Sequence, residues 1–319
     1  MAELSINNIA VVGAGTMGPG IVKALVLGGG IIKVWEPVLD KRELAKKVIS
    51  EGIDLSSEKG LIDSEKANDY KKNIIFVNSL EEAVIDADFI METIVEREDI
   101  KKSFYNELLP YIKSNTIVAS NTSALNIFEV VPEKLLPNQL IAHWYGPAQI
   151  VPLVEVIKSD EAPQEMADAL IDLLKRCGKV PVQMKKYVRG YIVNRILQCI
   201  NREVFYLLDN DICTAEDIDF AVKNSFIPRA MVLGILRKID FGGVDMTINN
   251  YRNHSYQLPP DTGLPKTLER MEEAKEFGVK SGKGFYDYEG CDINELLNKR
   301  DEQLIMAYSL AKKFLEDPA

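Results

Sequence analysis

The feature that most constrains the fold is a glycine-rich turn, IAVVGAGTMG, which ends an apolar run near the N-terminus. Gly13, Gly15 and Gly18 are its glycines, and a helical pattern runs from Thr16 to about Leu27. At this spacing the first glycine permits a tight turn, the second lets the backbone approach a pyrophosphate, and the third lets the helix pack on its strand. The positive N-terminal end of the helix would face the phosphates. We therefore predict a dinucleotide-binding turn formed by Gly13, Ala14, Gly15, Thr16, Met17 and Gly18.

A second apolar run leads to Glu36, which lies 18 residues after Gly18. An acidic side chain at this place accepts a hydrogen bond from the 2′-hydroxyl of the adenosine ribose and repels a 2′-phosphate. The sequence therefore predicts NAD, and not NADP, as the cofactor. The alternative is a glycine-rich turn between a strand and a helix that binds no cofactor, but the strand, the helix and the acid together favour binding.

Apolar runs alternate with helical patterns from residue 7 to about residue 182. Most runs are continuous in Val and Ile, which is typical of strands covered by helices on both faces. The predicted strands are 8–12, 31–35, 73–77, 88–92, 116–120, 140–144 and 153–157, and the predicted helices that connect them include 39–53, 62–72 and 166–177. From residue 190 the pattern is helical to the end, with a final charged helix at about 294–316. We predict an α/β fold, with a doubly wound dinucleotide-binding (Rossmann-type) domain at 1–186 and an all-helical C-terminal domain at 187–319.

The composition excludes several classes of partner. The formal net charge is −10, and an acidic chain repels phosphate backbones, so we expect no nucleic acid. The chain contains no run of 18 or more apolar residues, so we expect no membrane span, and the start MAELSINN lacks the pattern of a secretory or transit segment. The four cysteines have neither CxxC spacing nor His neighbours, which predicts no disulfide framework and no metal site. We expect a cytoplasmic protein that acts on a small molecule.

A histidine and a glutamate stand where two neighbouring strands would bring them together. His143 ends one apolar run and Glu155 lies 12 residues later within the next. If the chain reverses near residue 149, the two side chains lie directly opposite each other on one face, with about 4.5–5.5 Å between Cβ atoms. A carboxylate at that distance orients the imidazole and stabilises its protonated form, as a general base for an alcohol requires. The alternative is a structural histidine beside a solvated glutamate, but a glutamate between Val154 and Val156 is costly unless it is paired.

Taken together, these motifs resemble the L-3-hydroxyacyl-CoA dehydrogenase family over nearly the whole chain. The motifs are GAGTMG (13–18), METIVE (91–96), SNTSAL (120–125), AHWYGP (142–147) with PLVEVI (152–157), RGYIVNRI (189–196) and GKGFYDY (282–288). The resemblance implies an NAD-binding domain followed by a helical domain that mediates homodimerisation. It also implies NAD-dependent interconversion of a short-chain L-3-hydroxyacyl-CoA and its 3-oxoacyl-CoA, a reaction of fatty acid metabolism.

The resemblance also assigns roles to individual residues. His143 matches the catalytic base and Glu155 the acid paired with it. Ser123 matches the serine that hydrogen-bonds the reacting oxygen, and Asn194 the asparagine that helps to hold the substrate. From the residues alone, SNTS would serve equally as a helix cap and Asn194 as part of an ordinary polar helix face. The remaining two assignments, on the dinucleotide side, are Glu96 and Lys101.

Two departures from the family pattern bear on the substrate. The family usually has His-x-x-Asn-Pro, whereas this chain has Gly146 before Pro147, which removes an amide near the nicotinamide and the substrate. The segment QIVPLVEV (149–156) is closer to relatives that oxidise free hydroxy acids, such as gulonate and carnitine dehydrogenases.

Two other functions stay open. One is a β-hydroxyacid dehydrogenase related to the phosphogluconate enzymes, in which Lys185 or Lys186 would act as the catalytic lysine. The other is a non-catalytic NAD-binding sensor or crystallin-like protein, for which Gly146 is the supporting feature.

Overall fold

The computed structural model describes residues 4–58, 62–261 and 263–317. The chain divides into two compact units, Met1–Ile192 and Val193–Ala319. The first unit contains one eight-stranded sheet with the order β3-β2-β1-β4-β5-β6-β7-β8. The strands are β1 (Asn8–Val12), β2 (Ile31–Trp35), β3 (Ile74–Phe76), β4 (Phe89–Glu92), β5 (Ile117–Ser120), β6 (Gln139–Trp144), β7 (Leu153–Lys158) and β8 (Val180–Gln183). All neighbours are parallel except β6 and β7, which are antiparallel.

All seven predicted strands are confirmed, with ends that differ by no more than one residue. The eighth strand, β8, was not predicted. Its sequence VPVQ is short, contains a proline and is largely exposed at the edge of the sheet, so it lacks the apolar run that marks the other strands.

Helices cover both faces of the sheet. In the first unit they are α1 (Gly18–Leu25), α2 (Leu39–Glu58), α3 (Ser64–Lys72), α4 (Leu80–Val84), α5 (Glu98–Leu108), α6 (Ile127–Val130) and α7 (Gln164–Arg176). Alternate residues of β1 pack into two separate buried clusters, with Ile9 and Val11 in one and Ala10 and Val12 in the other. The strands are therefore covered on both faces, as their continuous apolar runs predict.

The order and direction of the strands bring the functional motifs together at the carboxyl ends of the central strands. Chain order reverses direction between β1 and β4, and ligands of doubly wound sheets bind outside the carboxyl ends of the strands at such a point. The glycine turn follows β1, the METIVE segment ends β4, and SNTSAL follows β5. His143 lies near the carboxyl end of β6, which is parallel to β5, so all of these segments lie at the same end of the strands.

The second unit is helical. Its helices are α8 (Val193–Asp209), α9 (Ala215–Ala221), α10 (Ile227–Gly242), α11 (Val244–Arg252), α12 (Lys266–Glu273) and α13 (Ile293–Glu316), with a π-helical turn at Val222–Phe226. Gly234, at φ +72°, kinks α10. Among the described residues of this unit, only Met271 and Pro259 are buried. In the part of the chain that the structure describes, no helix is both long and apolar enough to span a membrane.

Candidate active site

The turn after β1 has the geometry that its glycines predict. Gly13 has φ +94°, and a Cβ atom there would lie 2.9 Å from the carbonyl oxygen of Thr93. A Cβ atom at Gly18 would overlap the carbonyl oxygen of Gly13. At Gly15, by contrast, a Cβ atom would meet nothing within 4 Å, so the backbone there is open to a ligand. No side chain caps the first turn of α1, whose N–H groups therefore stay available for a phosphate.

Glu36 connects the end of β2 to the glycine turn. Its Oε2 accepts a hydrogen bond from the Ala14 N–H at 2.8 Å, and its Oε1 accepts one from the Val38 N–H at 3.1 Å. Each carboxylate oxygen has two lone pairs, so both can accept a further hydrogen bond from a ribose hydroxyl. The exposed Gly15 backbone and this anchored carboxylate fit the dinucleotide that the sequence predicts.

The central pair of the site is His143 and Glu155. The two residues are directly opposite in the antiparallel β6–β7 ladder, so the predicted register is confirmed. His143 Nδ1 lies 3.0 Å from Glu155 Oε2, and both side chains are buried. Glu155 Oε1 accepts a hydrogen bond from the Ile192 N–H at 3.0 Å. The carboxylate therefore fixes the imidazole ring and is itself held by the backbone.

Two tyrosines that the sequence analysis did not single out pack on the imidazole. The Tyr145 ring meets the His143 ring edge-on at 4.6 Å between centroids, and the Tyr191 ring lies tilted at 4.7 Å. The Tyr145 hydroxyl donates to Glu155 Oε2 at 2.7 Å, whereas the Tyr191 hydroxyl donates to the Thr122 carbonyl at 2.7 Å. Tyr145 stands two residues after His143, which is the signal that could have revealed it: side chains at that spacing in a strand point to one face.

Glu96 shapes the loop that carries Ser123. Its Oε1 accepts hydrogen bonds from the Thr122 hydroxyl at 2.6 Å, the Ser123 N–H at 2.9 Å and the Ala124 N–H at 3.0 Å. Burial acts to raise the pKa of Glu96, but these donors and the Lys101 charge outweigh it and lower that pKa. Ser123 itself is exposed at the edge of the sheet where the nucleotide turn lies.

Lys101 belongs to an ion-pair network inside the unit. Its Nζ lies 2.7 Å from both carboxylate oxygens of Glu92 and 3.4 Å from Glu96 Oε2. Glu92 also accepts hydrogen bonds from the hydroxyls of Tyr105 at 2.9 Å and Ser120 at 2.6 Å. The Lys101 side chain is only 1% exposed, so it presents almost no surface to a ligand. Glu92 was missed in the sequence, although a glutamate that ends the apolar run of β4 is a signal for a buried ion pair.

Two further positions complete the predicted site. Gly146 follows Tyr145, and a Cβ atom there would have Met17 Sδ, at 3.7 Å, as its nearest neighbour, so the position is open. Asn194 is the second residue of α8 and belongs to the second unit. The structure therefore gathers the glycine turn, Glu36, Glu96, Ser123, His143 and Glu155 at one edge of the sheet of the first unit.

Comparisons with known proteins match most of the chain. Residues 8–187 match the family model of the 3-hydroxyacyl-CoA dehydrogenase NAD binding domain, and residues 190–288 match the C-terminal domain of the same enzymes. The chain is 29% identical to 5-formyl-3-hydroxy-2-methylpyridine 4-carboxylate 5-dehydrogenase of Mesorhizobium japonicum, over 94% of this chain and 96% of that one. It is 28% identical to the human mitochondrial hydroxyacyl-coenzyme A dehydrogenase, over 90% and 92% of the two chains.

A solved structure gives the same result for the fold. The crystal structure of a 5-formyl-3-hydroxy-2-methylpyridine 4-carboxylic acid 5-dehydrogenase, described as an NAD+ dependent dismutase, superposes with a TM-score of 0.84. It covers 96% of this chain and 99% of its own, at 27% identity.

Proposed function

This chain belongs to the 3-hydroxyacyl-CoA dehydrogenase family of NAD-dependent oxidoreductases, and we propose that His143 is its general acid and base. The observation that carries the proposal is the 3.0 Å contact between His143 Nδ1 and Glu155 Oε2, at the same end of the sheet as the glycine turn. The reaction would be the interconversion of a secondary alcohol and its ketone. The nicotinamide ring, when bound, supplies the acceptor or donor of hydride.

The dyad determines which nitrogen moves the proton. A carboxylate only accepts hydrogen bonds, so Glu155 holds Nδ1 of His143 in its protonated form. The lone pair is then on Nε2, which takes the hydroxyl proton during oxidation and returns it during reduction. The negative charge of Glu155 balances the imidazolium that forms, and the Ile192 N–H keeps the carboxylate in place.

The other predicted residues take supporting roles in this proposal. Ser123 and Asn194 would donate hydrogen bonds to the oxygen that becomes the ketone. The nucleotide would be held by the glycine turn and by Glu36, through a ribose hydroxyl. Glu96 and Lys101 stay on the dinucleotide side, where Lys101 contributes its charge more than a surface contact because it is almost fully buried.

For the substrate we propose a short-chain L-3-hydroxyacyl-CoA, the substrate class of the family. A free hydroxy carboxylate is the second candidate, and Gly146 favours it because the position beside Met17 is open and lacks the amide that the family usually has there. The similarity to a pyridine carboxylate dehydrogenase over 94% of the chain supports the same candidate.

The test is NADH-consumption kinetics with acetoacetyl-CoA, acetoacetate and 3-dehydrocarnitine, on the wild type and His143→Gln. We expect turnover of at least one ketone and a fall in kcat of at least about 100-fold in the variant, in line with loss of a general base. Near-full turnover in His143→Gln would remove that residue from the role. NADH binding without turnover of any substrate would favour the non-catalytic sensor.

We also propose that the protein is a cytoplasmic homodimer that associates through the second unit. The support is physical: described helices of this unit expose large hydrophobic side chains such as Leu236, Phe241 and Tyr251, and a monomer rarely leaves so many uncovered. The four cysteines are free, which fits a reducing compartment.

A further inference from the structure

We propose that Tyr145 is a positioning residue that favours the neutral, proton-accepting form of His143. The Tyr145 hydroxyl and the imidazole contact the same oxygen of Glu155, so the tyrosine weakens the stabilisation of the imidazolium by that carboxylate. The inference rests on the proposed acid–base role of His143 and extends it to the way in which Glu155 stabilises the imidazolium.

The contacts define the competition. The Tyr145 hydroxyl donates to Glu155 Oε2 at 2.7 Å, and His143 Nδ1 lies 3.0 Å from the same oxygen. The other carboxylate oxygen, Oε1, accepts from the Ile192 N–H. Two donors that share one oxygen divide its negative charge, so the tyrosine hydroxyl weakens the hold of Glu155 on an imidazolium.

The consequence concerns the protonation state of His143 in the enzyme without substrate. Oxidation of an alcohol requires neutral His143 with a free lone pair on Nε2, whereas reduction requires the imidazolium. A hydroxyl that partly satisfies Glu155 makes the imidazolium less favourable and extends the neutral form to lower pH. Tyr145 therefore favours the form of His143 that can accept the hydroxyl proton of an alcohol.

The hydroxyl of Tyr191, the second tyrosine that packs on the imidazole, has a different acceptor. Tyr191 also packs on His143, but its hydroxyl donates to the Thr122 carbonyl. Burial raises the pKa of Tyr191 well above its ordinary value, as do the neighbouring Tyr187 and Glu96, so its hydroxyl stays protonated. Tyr191→Phe is therefore a matched control: it removes a hydroxyl from a ring at nearly the same distance from His143 without touching the shared oxygen.

The experiment is an NMR titration of the imidazole groups in the ligand-free protein labelled with ¹⁵N-histidine. The chain has only two histidines, and His254 lies exposed in the second unit, where it serves as an internal reference. In Tyr145→Phe we expect the His143 midpoint to rise by about 0.5–1 pH unit, because the full charge of Glu155 then acts on the imidazolium. Tyr191→Phe should leave that midpoint unchanged.

A Glu155→Gln background makes the test specific. With a neutral amide at position 155, Tyr145→Phe should no longer shift the His143 midpoint, since the effect acts through the carboxylate charge. An equal shift in both backgrounds, or no shift in the wild-type background, would overturn the proposal. The acidic limb of the pH profile of kcat/KM for oxidation should move with the NMR midpoint. Because the titration needs neither substrate nor turnover, its result stands apart from the outcome for His143→Gln.

Discussion

The two units differ in how they bury their hydrophobic side chains. In the first unit, whole strands such as β4 and β5 are buried from end to end, and helices close both faces of the sheet. In the second unit, no residue of α8, α10 or α13 is buried, and Leu236 on α10 is 77% exposed. The first unit therefore has a hydrophobic core of its own, whereas the second has helices whose apolar faces are largely uncovered.

Most of the candidate site lies in the first unit, and Asn194 on α8 is the exception. The glycine turn, Glu36, the His143–Glu155 pair and its tyrosines all belong to the self-contained unit. Both tryptophans of the chain, Trp35 and Trp144, belong to it as well, so tryptophan fluorescence follows the unfolding of this unit selectively. Tryptophan fluorescence therefore measures the stability of the first unit, whereas association requires a separate measurement such as sedimentation.

The largest effect on stability is expected at the buried carboxylate of Glu92. Glu92→Gln removes the charge that holds Lys101 and leaves a buried ammonium group with Glu96 as its remaining anionic contact. We expect the free energy of unfolding to fall by about 3–5 kcal/mol, since removing one partner of a buried ion pair strands the other. Urea denaturation followed by tryptophan fluorescence measures this change.

The control lies on α5. Glu98→Gln breaks an ion pair with Lys102 in which both side chains are about half exposed, and it should cost no more than about 1 kcal/mol. Equal losses in the two variants would mean that the network around Glu92 is not a structural element of the first unit.

The next effect is a dependence of stability on pH that originates at Lys179. Its ammonium group is buried and donates to the carbonyl oxygens of Ala148 and Val151 in the loop between β6 and β7. Desolvation lowers the pKa of Lys179 from 10.5 to about 8, so the unfolded chain binds more protons between those values. The native state is therefore penalised below pH 8, and stability rises with pH through this window, by about 3 kcal/mol at most.

Lys179→Met isolates that contribution. We expect the wild type, but not the variant, to gain stability between pH 7 and pH 9.5 in urea denaturation followed by tryptophan fluorescence. Burial raises the pKa of the Cys177 thiol to about 11, which acts in the opposite sense, but this residue is present in both proteins and largely cancels in the difference. Parallel pH profiles for the two proteins would show that Lys179 does not titrate in this range.

The proposed association through the second unit predicts that a substitution on its exposed face changes the dissociation constant of the dimer more than the free energy of unfolding. Leu236→Asp places a charge on an exposed face of α10. If a second copy covers that face, the buried charge should raise the dissociation constant of the dimer by at least about 100-fold, because an uncompensated charge in an interface is costly. Sedimentation velocity over a dilution series measures this constant.

Leu44→Asp on α2 is the matched control, since Leu44 is 61% exposed but belongs to the first unit. Its effect on the dissociation constant should be negligible. A Leu236→Asp protein that stays dimeric at the same dilution would contradict association through this face.

The sequence predicted the first unit far better than the second. Continuous apolar runs located seven strands, and the pattern of a strand pair placed His143 opposite Glu155. It missed Glu92, because its partner Lys101 comes from a helix nine residues later and no local pattern joins them. It also missed the tyrosine hydroxyls at Glu155 and Thr122, which depend on side-chain placement across the fold. In the second unit the helical period is clear, but a period does not reveal which surface will cover the apolar face.

The smallest effect on stability is expected at Gly15, and it shows whether binding and folding are separable in the first unit. A Cβ atom at Gly15 would meet nothing within 4 Å, so Gly15→Ala should change the free energy of unfolding by less than about 0.5 kcal/mol without ligand. The same methyl group occupies the space where the backbone must approach a pyrophosphate, so NADH affinity should fall by at least about tenfold. Calorimetric titration with NADH measures this loss. In contrast, Gly13→Ala should lose both stability and binding, because Gly13 has φ +94° and its added Cβ would press on Thr93. If Gly15→Ala bound NADH like the wild type, the turn would be a structural feature alone, and the first unit would not contain the predicted nucleotide site at Gly15.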